Sequence, residues 1–87
     1  MVNGFGAWLK VQIRHTDMTW HEFEQSSGIS SGRLQAWTSG KTLPRLQAYI
    51  ELCEALSKNQ GRLFTTVLLE GLSYLPEYRY AIKRLGQ

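Results

Sequence analysis

Some side chains in this sequence belong to types that bind metals or catalyse reactions, and their spacing decides which chemistry is open to them. His15, His21 and Cys53 are the soft metal ligands of the chain, and they fall on three different predicted helices. Zinc sites usually bring such ligands together in closely spaced pairs, and no such pair occurs here. We therefore expect no metal site and no cofactor.

The serines between residues 26 and 31 are candidate nucleophiles by residue type. No histidine or aspartate stands in an arrangement that would activate the hydroxyl of Ser26, Ser27, Ser30 or Ser31. Their positions beside predicted helix ends suit capping instead. The glycines also lack the spacing of a phosphate-binding loop. We expect no enzymatic activity.

Charge is distributed unevenly along the chain. Ten Lys and Arg residues against seven Asp and Glu residues give a formal net charge of +3. No acidic residue lies between Glu24 and Glu51, whereas Arg33, Lys41 and Arg45 all fall inside that window. A local positive field of this kind favours a polyanionic partner.

Length and composition indicate one small domain. The chain has 87 residues, of which 43% are hydrophobic and 20% charged, which is ordinary globular usage. A domain this small buries a modest share of its surface, so we expect dimerisation.

No stretch approaches the roughly 18 apolar residues of a membrane span, and no signal segment is evident. One cysteine fits a reducing compartment, so we expect a cytoplasmic protein without a membrane partner.

The elements that position these side chains are predicted to be helices. Apolar residues at three- and four-residue steps predict a first helix over about residues 4–15. Thr19 and Glu22 form a capping box that starts a second helix, and Gly28 ends it. Ser30 then caps a third helix of about residues 30–38, with Leu34 and Trp37 facing inward.

The second half of the chain continues the helical pattern. Pro44 is predicted to open a fourth helix that ends at Gly61, and a fifth follows it. A last helix is expected after Pro76. The apolar stripe of the fourth helix is predicted to contain Leu46, Tyr49, Ile50, Cys53 and Leu56. The expected fold is all-α, a compact bundle of five to six short helices that contains a helix-turn-helix.

Residues 5–57 resemble the Cro and phage-repressor family, the XRE-type or lambda-repressor-like helix-turn-helix proteins. The resemblance lies in the anchors of the two helices and their turn, which are Phe23, Gly28, Ile29, Leu34 and Trp37. It implies that residues 1–60 form a helix-turn-helix DNA-binding domain. Residues 61–87 would then be a C-terminal helical extension of the same domain.

Two positions depart from the family pattern. Glu24 stands where the family usually has alanine. A buried carboxylate is costly, so either Glu24 points outward from a slightly shifted helix or the register of that helix differs. Thr38 stands where many relatives have a glutamate that pairs with an arginine of the first helix, so we expect that ion pair to be absent.

The third helix is the expected recognition helix, because the major groove of B-DNA is about 12 Å wide and admits one α-helix. The resemblance implies that Ser31, Gly32 and Ala36 read bases and that Arg33 lies near the groove edge or the phosphates. Arg33 could also bond guanine in a bidentate manner, and Ala36 could touch a thymine methyl. The expected base contacts are Ser31, Gly32, Arg33, Gln35 and Ala36.

Phosphate contacts are expected on both sides of that helix. The backbone N–H groups that open the second helix suit an anion, and the loop after the third helix carries cations. The indole of Trp20 either donates to a phosphate or is partly buried. The expected phosphate contacts are Trp20, His21, Ser30, Lys41, Thr42 and Arg45.

The function that these features favour is a sequence-specific, repressor-like regulator that binds double-stranded DNA in the nucleoid of a bacterial cytoplasm. The aromatic tail with Tyr74, Tyr78 and Tyr80 suggests a homodimer formed through residues 62–85. The alternative is a protein-interaction module, such as an antitoxin or adaptor, that keeps the fold without reading DNA.

Overall fold

The computed structural model describes residues 4–75, and within them the chain forms five helices. They are α1 (Gly4–His15), α2 (Trp20–Ser27), α3 (Ser31–Thr38), α4 (Leu46–Gln60) and α5 (Phe64–Leu72). No strand occurs within these residues, so the predicted all-α bundle is confirmed. None of the five helices has the length and apolar content needed to cross a membrane. The helix expected after Pro76 lies outside the described residues.

Caps fix both ends of α2 and the start of α3. The hydroxyl of Thr19 accepts from the backbone N–H of Glu22 at 3.1 Å, and the Glu22 carboxylate accepts from the Thr19 N–H at 2.8 Å. Gly28 ends α2 at φ 75°, where residues with a Cβ are strained. Ser30 then accepts from the N–H of Arg33. The boundaries predicted for the helix-turn-helix are therefore confirmed.

One hydrophobic core holds the bundle together. Its fully buried large side chains include one or more from every helix and from the turn between α2 and α3: Phe5, Leu9, Phe23, Ile29, Leu34, Tyr49, Leu52, Leu56 and Val67. Trp37 is also buried beside them. Because Leu34 and Trp37 point into this core, α3 is anchored by its inner side, as predicted.

The first and third helices approach each other at a glycine. A Cβ added to Gly6 would lie 2.5 Å from the carbonyl oxygen of Thr38, so only glycine permits this packing. The Thr38 side chain is buried, and its hydroxyl donates to the carbonyl of Leu34 at 3.0 Å. The buried Thr38 is thus bonded to its own helix.

Polar contacts fasten α5 to the rest of the bundle. The hydroxyl of Tyr49 donates to the Leu68 carbonyl at 2.6 Å, and the indole N–H of Trp8 donates to Glu70 at 3.3 Å. The guanidinium of Arg62 pairs with Glu70 and donates to Gln12 at 3.1 Å. The hydrogen bond from Arg62 lowers the pKa of Glu70 below its usual value.

Two predictions for α4 are wrong. The helix begins at Leu46, after the N-cap Arg45, and Pro44 is a buried residue of the preceding loop. Leu46 is 49% exposed and lies outside the apolar stripe. The buried face is centred near Leu52 and Leu56, and at 100° per residue Leu46 falls at its edge.

Candidate nucleic-acid interface

The outer side of α3 carries the residues predicted to contact bases. Gly32, Arg33 and Gln35 are exposed, whereas Ser31 and Ala36 are half-buried. The inner residues Leu34 and Trp37 have relative exposures of 0% and 4%. The helix therefore presents one side to the core and leaves the other available.

Glycine at position 32 has no evident role in the fold. A Cβ built on Gly32 has nothing within 4 Å, and the backbone there is helical. Glycine inside a helix costs about 1 kcal/mol relative to alanine. A glycine of this kind is useful where another surface must come close to the backbone.

Open depressions lie on both sides of α3, and Gly32 and Ala36 line both of them. One has a volume of about 460 Å³ and the other about 370 Å³. Their cations are Lys10 and Lys41 in the first and Arg33 and Arg45 in the second. Among residues 4–75, no carboxylate lines either depression. The outer side of α3, with Gly32 and Ala36, is thus a low ridge between two positively charged depressions.

The Arg33 guanidinium lies 5.3 Å from the ring centroid of Trp37 on the next turn of α3. This cation–π contact restrains an otherwise exposed side chain without neutralising its charge. Arg33 is therefore held beside the hollow that it shares with Arg45.

Glu24 caps the start of α3. Its carboxylate accepts a hydrogen bond from the backbone N–H of Ser31 at 3.0 Å, and it lies 3.9 Å from the Nδ1 of His21. A carboxylate is favourable at the positive end of a helix dipole. Because both caps of α2 are in their predicted places, the register is not shifted. The half-buried Glu24 points toward α3, so the expectation of an outward-pointing side chain is wrong.

The loop between α3 and α4 holds the other predicted phosphate contacts. Lys41, Thr42 and Arg45 have exposed side chains. The backbone N–H groups of Lys41 and Thr42 both donate to the carbonyl of Ala36, at 3.0 and 3.2 Å. The loop is therefore tied to the last turn of α3, which positions these side chains relative to the recognition helix. Ser30, by contrast, uses its hydroxyl as the N-cap of α3.

The start of α2 opens onto a third depression, of about 280 Å³. Trp20 lines it with 40% of its surface exposed, and the neighbouring His21 is also exposed. Lys10 and Arg14 of α1 line the same depression. Sequence reasoning missed both cations, although their spacing of four residues on the polar side of a predicted helix could have identified them.

Within residues 4–75, no group of three His, Cys, Asp or Glu side chains is placed to hold a metal ion. Every buried side-chain nitrogen or oxygen of that segment has a hydrogen-bond partner. The polar atoms of the interior are thus used by the fold, and the groups left for a ligand lie at the surface. No model of a known protein family, no curated protein and no solved structure matches this chain.

Proposed function

We propose that this protein is a sequence-specific regulator of transcription that binds double-stranded DNA, with α3 in the major groove. The observation that carries the proposal is the outer side of α3, where a glycine unneeded by the fold lies between two depressions. The described residues that line these depressions include cations and no carboxylate. A backbone that must approach base edges, with phosphates on both sides, requires such a surface. The resemblance to the XRE-type repressors points to the same function.

In this proposal one group of side chains contacts the bases and a second group contacts the phosphates. On the outer side of α3, the exposed Gly32 and Gln35 and the half-buried Ser31 and Ala36 would contact base edges. Arg33 would reach guanine or the groove edge. The cations and polar groups around them would hold the phosphates and fix the orientation. These phosphate contacts are Trp20, His21, Ser30, Lys41, Thr42 and Arg45.

A homodimer formed through residues 62–85 belongs to the same proposal. Leu63 and Leu69, in the described part of that segment, have exposures of 74% and 57%. Large apolar side chains at this exposure favour a protein contact. A two-fold dimer would set two copies of α3 about 34 Å apart, one turn of DNA, and would read a palindromic site in the bacterial nucleoid.

Selection of bound sequences from a random pool of duplexes tests the proposal. We expect a palindromic site to be enriched and its affinity to fall steeply with salt. Arg33→Ala should reduce the discrimination between this site and random DNA by about 1–3 kcal/mol, whereas Lys41→Ala should weaken both alike. Enrichment of no sequence, or equal losses for both variants on both kinds of DNA, would contradict sequence-specific reading by α3.

A protein-interaction module is the second candidate, and Glu24 favours it. Its carboxylate occupies the first N–H of α3, where a phosphate would otherwise be attracted, and it adds negative charge beside the ridge. If the protein fails to bind mixed genomic fragments at low salt, this second candidate is preferred.

A further inference from the structure

Two cations on α1 extend the positive surface beyond α3. Lys10 and Arg14 are exposed and lie four residues apart, so they share one side of the helix. Both line the depression beside Trp20, and Lys10 also lines the larger hollow next to α3. The two depressions therefore meet at Lys10, and the cationic surface continues from α3 along α1.

The side chains of Lys10 and Arg14 make no ion pair or hydrogen bond with the described residues 4–75. Within residues 4–75, neither the ion pair of Arg62 with Glu70 nor the 3.9 Å contact of His21 with Glu24 includes them. Arg62 differs from these two cations, because its guanidinium donates hydrogen bonds to Gln12 of α1 and Glu70 of α5 and so connects these helices. Lys10 and Arg14 make no such bonds to the described chain.

The depression that Lys10 and Arg14 share differs in its lining from a depression on α4. The described residues that line the depression beside Trp20 are Lys10, Ile13, Arg14, Met18, Thr19 and Trp20, and none of them is a carboxylate. Glu51 and Glu54 line a different depression, on α4, together with Lys58. A polyanion would be attracted to α1 and repelled from that part of α4.

We propose that α1 is a third segment that contacts DNA, in which Lys10 and Arg14 bind the phosphate backbone beyond the stretch that α3 occupies. This inference rests on the proposed function of α3. Long, exposed cationic side chains bind phosphates as charges and carry little sequence information. The contacts strengthen binding to every duplex, and each releases counterions, so they contribute to the salt dependence.

The test uses the full chain with Lys10→Gln and Arg14→Gln, singly and together, on the selected site and on a random duplex. Each lost phosphate contact should make the slope of log K against log salt less negative by about 0.9, and the double variant by about 1.8. Affinity for both duplexes should fall by the same factor. Glutamine keeps the side chains long and polar, and equal thermal unfolding midpoints show that the variants remain folded.

Lys58→Gln is the matched control, since it removes the same charge from the part of α4 that carries Glu51 and Glu54. Its salt slope should equal that of the unchanged protein. If Lys58→Gln changes the salt slope as much as Lys10→Gln or Arg14→Gln does, the change is due to net charge and the inference is overturned. An unchanged salt slope in the double variant would also overturn it. In both cases the effects of Arg33→Ala and Lys41→Ala would still support DNA reading by α3. A protein that binds no duplex at all overturns both proposals.

Discussion

The backbone N–H of Ser31 donates a hydrogen bond to the carboxylate of Glu24 at 3.0 Å, so the helix before the turn caps the helix after it. The contact also sets the direction in which α3 leaves the turn, because the bond joins a side chain of α2 to the first residue of α3. The carboxylate of Glu24 therefore adds a bond between the two helices.

Glu24→Ala should lower the free energy of unfolding by about 1 kcal/mol, because a half-buried cap bonded to an N–H is lost. Glu24→Gln should keep most of the stability, since its amide oxygen still accepts the bond. Urea denaturation measures both, with the exposed Glu54→Ala as the control. Equal values for Glu24→Ala and Glu54→Ala would show that the cap contributes nothing.

Gly6→Ala and Gly32→Ala should change stability in opposite directions. At position 6 the added methyl meets the Thr38 carbonyl oxygen, so α1 and α3 must separate, at a loss of about 1–3 kcal/mol. At position 32 it meets nothing, and the gain in helix propensity should stabilise the fold by about 0.5–1 kcal/mol. Thermal and urea unfolding provide the measurement. A stabilising Gly6→Ala would rule out close contact between the two helices.

Alkaline pH should destabilise the fold through Cys53. Burial raises the pKa of its thiol from 9.0 to about 12. The unfolded chain loses this proton first, so stability is full below pH 9 and falls above it by up to about 1.4 kcal/mol per pH unit. Cys53→Ala should flatten the fall between pH 9 and 10, measured as the slope of the unfolding free energy.

Tyr49→Phe is the control for that slope. Burial also raises the pKa of the Tyr49 phenol. Its contribution is lost only above the ordinary tyrosine pKa of about 10, so the variant should be less stable but keep the slope between pH 9 and 10. A slope that stays the same in Cys53→Ala would mean that the thiol is not the titrating group.

Leu69→Lys should weaken the proposed dimer. Removing a buried leucine from an interface and replacing it with a charge should raise the dissociation constant by at least about tenfold. Sedimentation equilibrium without DNA measures this, with Leu46→Lys on α4 as a matched exposed leucine. Equal weakening by both variants, or a monomer in the unchanged protein, would argue against a contact through α5.

Local signals predicted the helix ends well. The capping box of Thr19 and Glu22, the left-handed Gly28 and the cap at Ser30 each act within a few residues, so their effect can be read from neighbouring positions. The start of α4 was predicted too early, because Pro44 fits a first helical turn but here fills a buried place in the loop.

Features that depend on distant residues could not be predicted from the sequence. Glu24 accepts a hydrogen bond from Ser31 because the turn brings the two residues together, and the course of the turn cannot be read from the sequence. The contact of Gly6 with Thr38 likewise depends on how α1 packs on α3. The place of Lys10 beside Lys41 is of the same kind, because two helices bring together residues far apart in the chain.

The buried thiol of Cys53 can also be used to measure how often the core opens. Cys53 is the single cysteine of the chain and has no exposed surface, so a thiol-specific reagent reaches it only after the interior opens. The rate of labelling in native buffer therefore measures how often the core opens, without an added probe or a denaturant.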